Sequence, residues 1–388
     1  MNKEEEVHKR SKPAYLAGLA LVALLGALAL AGCGGDDTST SETTAPPTTT
    51  AAETVTTSGK TTTTAAALQA SLSSAGATFP EPLYLEWIGA FQSDVQPDVS
   101  INYQGIGSGG GIQQFTQLTV DFGASDAPMK DEEIAAAEAA AGAKVLHIPT
   151  VFGAVTLAYN LEGVTDLQLD QDTLAGIFLG DITMWNDPMI AALNSGATLP
   201  DEAIQVVHRS DSSGTTSIFT GYMTQISPTW ETEVGPGKEV QWPVGIGGQG
   251  NDGVAAVIQQ QGGSIGYVEL SYALESRLPV ATLKNKAGNF VKPSLESTSA
   301  AAVGVTFPAD LRFSLSDSEA SGAYPIVGAT WILAYDRMQD PAKAEALKAF
   351  LTWALTDGDS IAQELNYAPL PEELQSLALE KVDAISVK

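Results

Sequence analysis

Two β-prone runs, residues 148–159 and 324–335, constrain this chain more than any other feature. Each is longer than an ordinary strand and long enough to pass from one domain into another. One lies near residue 150 and the other near residue 325, so the chain crosses out and later crosses back. The stretch between them then forms one domain, and both flanks share the other. This places one lobe at 71–150 with 325–388 and a second lobe at 151–324. Elsewhere short strand-like runs alternate with helical periodicities, the pattern of an α/β protein. A chain of 388 residues has room for two such domains.

The N-terminal part reads as processing and attachment. Lys9, Arg10 and Lys12 precede an apolar run at 13–31, which closes in Leu30, Ala31, Gly32 and Cys33. Those four residues resemble the lipobox of bacterial lipoproteins, whose signal peptide is cut before the Cys. The resemblance implies a signal peptide at 1–32, Cys33 as the acylated first mature residue, and a membrane-anchored domain facing outward. The alternative is an uncleaved transmembrane helix, since about 19 apolar residues just span a bilayer. Residues 33–70 are dominated by Thr, Ser, Ala and Pro with almost nothing to pack, so they read as a disordered tether.

Cys33 is the chain's single cysteine, which leaves the folded part no disulfide framework and no thiolate metal site. No cofactor or metal is expected. The formal net charge of -27 makes nucleic acid or an anionic membrane surface poor partners for the folded part. An anionic ligand must be won by local hydrogen-bond donors against that field.

Three loops look built for such a ligand. In the first, a short strand meets Ala75, Gly76 and Ala77; Thr78 takes a cap-like position, and Pro80 suits the first turn of a helix through Tyr84, Trp87, Ile88 and Phe91. Thr78 and the N–H of Phe79 would face whatever lies above the strand end. In the second, a strand at 99–104 runs into a glycine-rich turn at 105–111, where Ser108 is the one side chain able to hydrogen-bond. So many glycines signal close approach of backbone to a ligand. The turn matches G-x-G-x-x-G at Gly105, Gly107 and Gly110, with Asp126 roughly 20 residues on, the dinucleotide fingerprint. An extracytoplasmic location argues against that cofactor. Asp126 itself reads first as a cap or turn former for a helix at 131–141.

The third loop follows a strand at 204–208 and opens a helix at 216–226. It runs Arg209, Ser210, Asp211, Ser212, Ser213, Gly214, Thr215. The free N–H groups and positive dipole end at a helix start suit an oxyanion, and Arg209 adds a planar fork of charge. Asp211 should repel that anion unless the ligand carries a proton. A plain alternative is a capped helix with an Arg and Asp surface pair worth about 0 to 1 kcal/mol. A further glycine cluster at 245–253 reads as a structural turn.

Taken together these segments resemble the phosphate-binding proteins of bacterial phosphate ABC importers, across about residues 72–380. The matching motifs are at 75–80, 102–108, 121–128, 209–215 and 262–269. The resemblance implies a two-lobed, class II periplasmic-binding-protein fold with two crossover strands, closing on inorganic phosphate. It also implies phosphate binding by Thr78, Phe79, Ser108, Asp126, Arg209, Asp211, Ser213, Gly214 and Thr215. The implied partners are phosphate and the permease subunits in the membrane, with the binding protein acting as a monomer and not as an enzyme. Gly109 departs from the pattern where a second Ser is frequent, and His208 and Ser210 depart beside Arg209.

The resemblance also accounts for the acids. Phosphate keeps a proton near neutral pH and sulfate keeps none, so a carboxylate accepts a hydrogen bond from the first and repels the second. Asp126 is then the acceptor, and Asp211 either orients Arg209 or shares that role. The competing readings are a binding protein for another oxyanion, a phosphate sensor or adhesin on the same fold, and a hydrolase built on Ser213 and His208. No G-x-S-x-G elbow surrounds any Ser here, which weakens the last.

Overall fold

The computed structural model describes residues 68–387. The signal segment, Cys33 and most of the tether therefore lie outside the described residues.

Three strand–helix units open the fold. They are β1 (Ala70–Gly76) with α1 (Glu81–Ala90), β2 (Val99–Gly105) with α2 (Ser108–Thr116), and β3 (Phe122–Ser125) with α3 (Asp131–Ala141). The long strand β4 (Val145–Asn160) follows, with every residue from 147 to 159 buried. Continuous burial means that both of its faces are covered, which is why the sequence there shows a solid apolar run instead of an alternation.

The second lobe holds α4 (Gln171–Leu179), β5 (Gln205–Arg209), α5 (Gly214–Ile226), β6 (Ile246–Gly248), α6 (Gly250–Gln260) and β7 (Ser264–Glu269). The chain returns through β8 (Val327–Tyr335) and closes with α7 (Pro341–Ala354) and α8 (Glu372–Asp383).

One nine-stranded sheet carries both lobes, in the order β2-β1-β3-β8-β4-β7-β5-β6, with a short strand at Ala368–Pro369 also pairing with β4. In the first lobe β1 lies parallel between β2 and β3, and β8 runs antiparallel to both β3 and β4. In the second, β5 lies parallel between β7 and β6. β4 belongs to both: residues 145–154 pair with β8, and residues 155–160 pair with β7. The returning chain touches it where the lobes meet, the Val155 N–H donating to the Ile326 carbonyl at 2.8 Å. The long run at 148–159 thus spans both halves of the sheet as part of β4, while β8 pairs only with β3 and the first part of β4.

The core is rich in fully buried aromatics. Trp87, Trp185 and Trp331 each satisfy the indole N–H on a backbone carbonyl, of Gly358, Gly263 and Leu311, at 2.8 to 2.9 Å. A buried indole keeps its apolar gain only if that one polar group is paired. Trp185 is thus core.

Several local expectations are corrected. Thr78 does not cap α1 with its hydroxyl: Pro80 holds the cap position, and the Thr78 carbonyl accepts the Glu81 N–H at 3.2 Å. α2 begins at Ser108, inside the glycine run, because the run is mostly the first helical turn and only partly a loop. Asp126 does not cap α3, whose start is closed by Glu133 accepting the Lys130 N–H at 2.8 Å.

Candidate functional site

Because β1, β2 and β3 are parallel neighbours, their carboxyl ends and the loops that follow lie side by side. This is where open α/β sheets bind ligands. Gly107, at φ 84°, turns the chain into α2 and makes Ser108 its first residue. The later glycines serve close packing within the protein. A Cβ on Gly111 would stand 2.5 Å from the Gly76 Cα, and one on Gly109 would stand 2.2 Å from the Ser212 Oγ. Gly111 seats α2 on β1, and Gly109 receives the third loop, whose Ser212 carbonyl accepts the Gly109 N–H at 2.9 Å.

Ser108 is fully buried beside Asp126. Its Oγ accepts the Asp126 N–H at 3.1 Å and donates toward Asp126 Oδ2 at 3.3 Å. The other carboxyl oxygen, Oδ1, accepts the Thr330 hydroxyl at 2.8 Å. Thr330 stands at a register shift of β8 against β4, between Thr330 and Trp331. Bulges of this kind commonly re-aim a side chain. Burial lifts the Asp126 carboxyl to about 7; the Thr330 hydroxyl, the charge of Arg209 and the Ser108 hydroxyl oppose that rise without cancelling it.

The second lobe presents a different chemistry. Arg209 ends β5 with its side chain only 1% exposed, so it belongs to a buried fork and not to a surface pair. Its Nε donates to Asp211 Oδ1 at 2.7 Å, its Nη2 to Oδ2 at 2.5 Å, and its Nη1 to Thr215 Oγ1 at 3.3 Å. Asp211 Oδ1 also accepts the Gly250 N–H at 3.1 Å. Burial by itself would raise the Asp211 carboxyl, but the Arg209 fork outweighs it and holds the group below the usual carboxylate range. Of the two roles left open for Asp211, orienting Arg209 is the one its contacts support.

Ser213 caps α5, its Oγ accepting the Thr216 N–H at 3.1 Å. Gly214 then brings the helix start against the first lobe. A Cβ there would lie 2.4 Å from Ser108 Oγ and 2.5 Å from Asp126 Oδ2. The N-terminus of α5 therefore meets the Ser108 and Asp126 pair at backbone distance, with its positive dipole end toward the carboxyl.

The first loop completes the cluster. Thr78 is buried, and its Oγ1 meets Asn251 of the second lobe, at 3.2 Å from the backbone N and 2.9 Å from Nδ2. The Phe79 ring packs against Gly153 of β4, where a Cβ would come within 2.5 Å of it, and the Phe79 carbonyl accepts the Tyr367 hydroxyl at 2.6 Å. Thr78 and Asp211 share the wall of a polar cleft of about 300 Å³ with Gly105, Ile106 and Gly250.

Every expected binding residue thus falls in one neighbourhood; Cys33 lies outside the described residues. Two further members were not anticipated. Thr330 is invisible in sequence because only strand register brings it to Asp126. Asn251 had a signal, since 245–253 repeats the strand, glycine turn and helix order of the other loops, but it read as a structural turn.

His208 and Ser213 do not form a nucleophile and base pair. His208 stacks on Trp242 at 4.7 Å and its Nδ1 lies 2.9 Å from the Arg209 carbonyl, while Ser213 Oγ serves the helix cap. Burial also pushes the His208 pKa down, which keeps the ring neutral near pH 7.

Two lobes joined by adjacent crossing segments, with strand-end loops of both converging on one buried polar centre, define a solute-binding protein of the class II periplasmic-binding type. Comparison with known proteins agrees. Residues 47–358 match the model of the PBP superfamily domain. The phosphate-binding protein PstS of Pasteurella multocida is 44% identical over 318 residues, covering 81% of this chain and 89% of that protein. Phosphate-binding protein PstS3 of Mycobacterium bovis is 36% identical over 372 residues, covering 94% and 97%. Among solved structures, a phosphate-binding protein from Stenotrophomonas maltophilia superposes with a TM-score of 0.62 at 21% identity, over 80% of this chain and 93% of that one, a likeness of fold. The chain belongs to the PstS family of phosphate-binding proteins, within the PBP superfamily.

Proposed function

We propose that this protein captures inorganic phosphate between its lobes and delivers it to an ABC-type phosphate import permease. In this reading Thr78, Phe79, Ser108 and Asp126 act from the lobe at 71–150 and 325–388. Arg209, Asp211, Ser213, Gly214 and Thr215 act from the lobe at 151–324. Cys33 carries the lipid that keeps the outward-facing domain near the membrane. The protein binds and releases its ligand as a monomer, without turnover, cofactor or metal.

One observation carries the reading: a buried carboxyl, Asp126, faces a helix N-terminus and a buried arginine across the lobe interface. Donors alone would suit any oxyanion. A buried acceptor among them suits one that still carries a proton, and leaving such a group unpaired costs the wrong ligand about 10⁴ to 10⁵ in affinity. Because an anion contacts both halves only when they approach, binding favours the closed form, which is the form offered to the permease.

Thermal unfolding with phosphate and with sulfate tests this. A saturable, equimolar stabilisation by phosphate is expected, with none from sulfate at the same concentration. Equal shifts from both anions, or release of phosphate from an ester substrate, would remove the reading.

A further inference from the structure

Asn251, near the start of α6, is fully buried and touches both lobes. Its Oδ1 accepts the Glu269 N–H at 3.0 Å. A backbone N–H can only donate, so the side-chain oxygen must face Glu269 and the NH₂ must face the other way. That nitrogen lies 2.9 Å from Thr78 Oγ1 and 3.1 Å from Thr215 Oγ1, one hydroxyl from each lobe.

Each of those hydroxyl oxygens receives a second donor. Thr78 Oγ1 also accepts the Asn251 backbone N–H at 3.2 Å, and Thr215 Oγ1 also accepts Arg209 Nη1 at 3.3 Å. A hydroxyl has two lone pairs and one proton. With both lone pairs engaged, what each threonine has left to offer is its proton.

We propose that Asn251 is a positioning residue for the anion site: by donating to Thr78 and Thr215 together it fixes both hydroxyls as donors toward the ligand and links the lobes in the closed form. The proposal rests on the phosphate reading above and extends it to a residue that contacts the ligand only through others. It also gives the Gly245 to Gly253 cluster a purpose, since Gly250, at φ 71°, is the turn that sets Asn251 at the head of α6.

The test compares Asn251→Asp and Asn251→Leu with the unaltered protein, in full-length form, by phosphate calorimetry. The Asp variant keeps the acceptor for Glu269 but replaces the NH₂ with an oxygen that draws the threonine protons away from the ligand. Its affinity relative to the unaltered protein should fall on the order of 100-fold at pH 8 and recover as pH drops and the new carboxyl regains a proton. A loss of the same size at pH 5 and pH 8 would overturn the proposal.

The Leu variant separates this effect from charge repulsion. It should lose about 10-fold. In a Thr78→Val, Thr215→Val background the same change should cost less than about 3-fold, because its targets are gone. Equal losses in both backgrounds, or none in either, would overturn the proposal. If the Leu variant does not fold, the pH profile of the Asp variant decides.

Failure of the phosphate reading itself is seen separately, as an unaltered protein that gives no phosphate heat. The lobe linkage is then still read in the ligand-free state by small-angle X-ray scattering. The Leu variant, which cannot bond to either threonine, should show a larger radius of gyration than the unaltered protein, and an equal radius would count against the link.

Discussion

The two halves of the site use the same local construction, a parallel strand followed by a glycine- or serine-bearing turn and a helix start, yet they are opposite in electrostatic character. The first-lobe half centres on Asp126, an acid with no cation of its own lobe bonded to it among the described residues, which burial lifts to about 7. The second-lobe half centres on Arg209, whose charge is matched inside its own loop by a carboxylate held well ionised. One side can give or take a proton and the other cannot. In the proposed function, a site assembled from both would grip a small anion mostly with hydroxyls and backbone N–H groups, while the proton would be read on one side only. Under that proposal, the division would let a chain of net charge -27 hold an anion through local donors.

Changing the proton-reading side should have the largest effect. Asp126→Asn should shrink the preference for phosphate over sulfate by up to about 10⁴-fold, measured as the ratio of the two dissociation constants. The same acid predicts a pH dependence with a definite sign. Sulfate needs Asp126 protonated, and the protonated fraction falls tenfold for each pH unit above about 7. Sulfate binding by the unaltered protein should therefore be weak but level below pH 7 and decline about tenfold per unit above it, whereas Asp126→Asn should be level throughout. An unaltered ratio in the variant would remove the asymmetry between the halves.

Next comes the fixed-charge side. Arg209→Ala deletes the forked donor, each charge-assisted bond being worth about 1.5 to 3 kcal/mol, and should weaken phosphate by roughly 10³-fold in calorimetry. Gly214→Ala tests the meeting of the halves, because its methyl would intrude on Ser108 and Asp126 while leaving the second lobe intact. We expect about a 100-fold loss of affinity with little change in the ligand-free melting temperature. A fall in melting temperature as large as the loss of binding would place the damage inside the lobe and not between the lobes.

The smallest effect should come from Thr330→Val, which removes the hydroxyl that donates to Asp126 Oδ1. Losing a donor that favours the ionised form should move the Asp126 titration upward and weaken phosphate by about 1 to 2 kcal/mol. The onset of the sulfate decline should shift to higher pH by the same cause, which a sulfate titration series would detect.

The sequence was most legible where the physics is local. The strand expected at 99–104 appears one residue longer, as β2, because Val99, Ile101 and Tyr103 alternate with polar residues, and α5 starts within two residues of the expected place because Ser213 and Gly214 carry a helix-start signature. Asp211 was visible as an anomaly, a carboxylate beside donors meant for an anion, and its contacts with Arg209 resolve the anomaly. Thr78 carried two readings, a cap and a hydroxyl facing the space above the strand end; the cap is absent, and the contact with Asn251 fits the second.

What the amino-acid order determined by itself was the succession of units: strand, small-residue turn, helix start, repeated, with two long apolar runs that become buried strands. Those features depend on φ/ψ preference, hydrophobic period and capping, each of which acts over a few neighbouring residues. Only the tertiary structure decided which groups meet. Sheet register carried Thr330 to Asp126 from 204 positions away, and approach of the lobes set Asn251 against Thr78 across 173. Burial then moved the Asp126 carboxyl far from its ordinary range. Desolvation and hydrogen bonding depend on what surrounds an atom in space, and a chain folded from both ends into one lobe separates that from nearness in sequence.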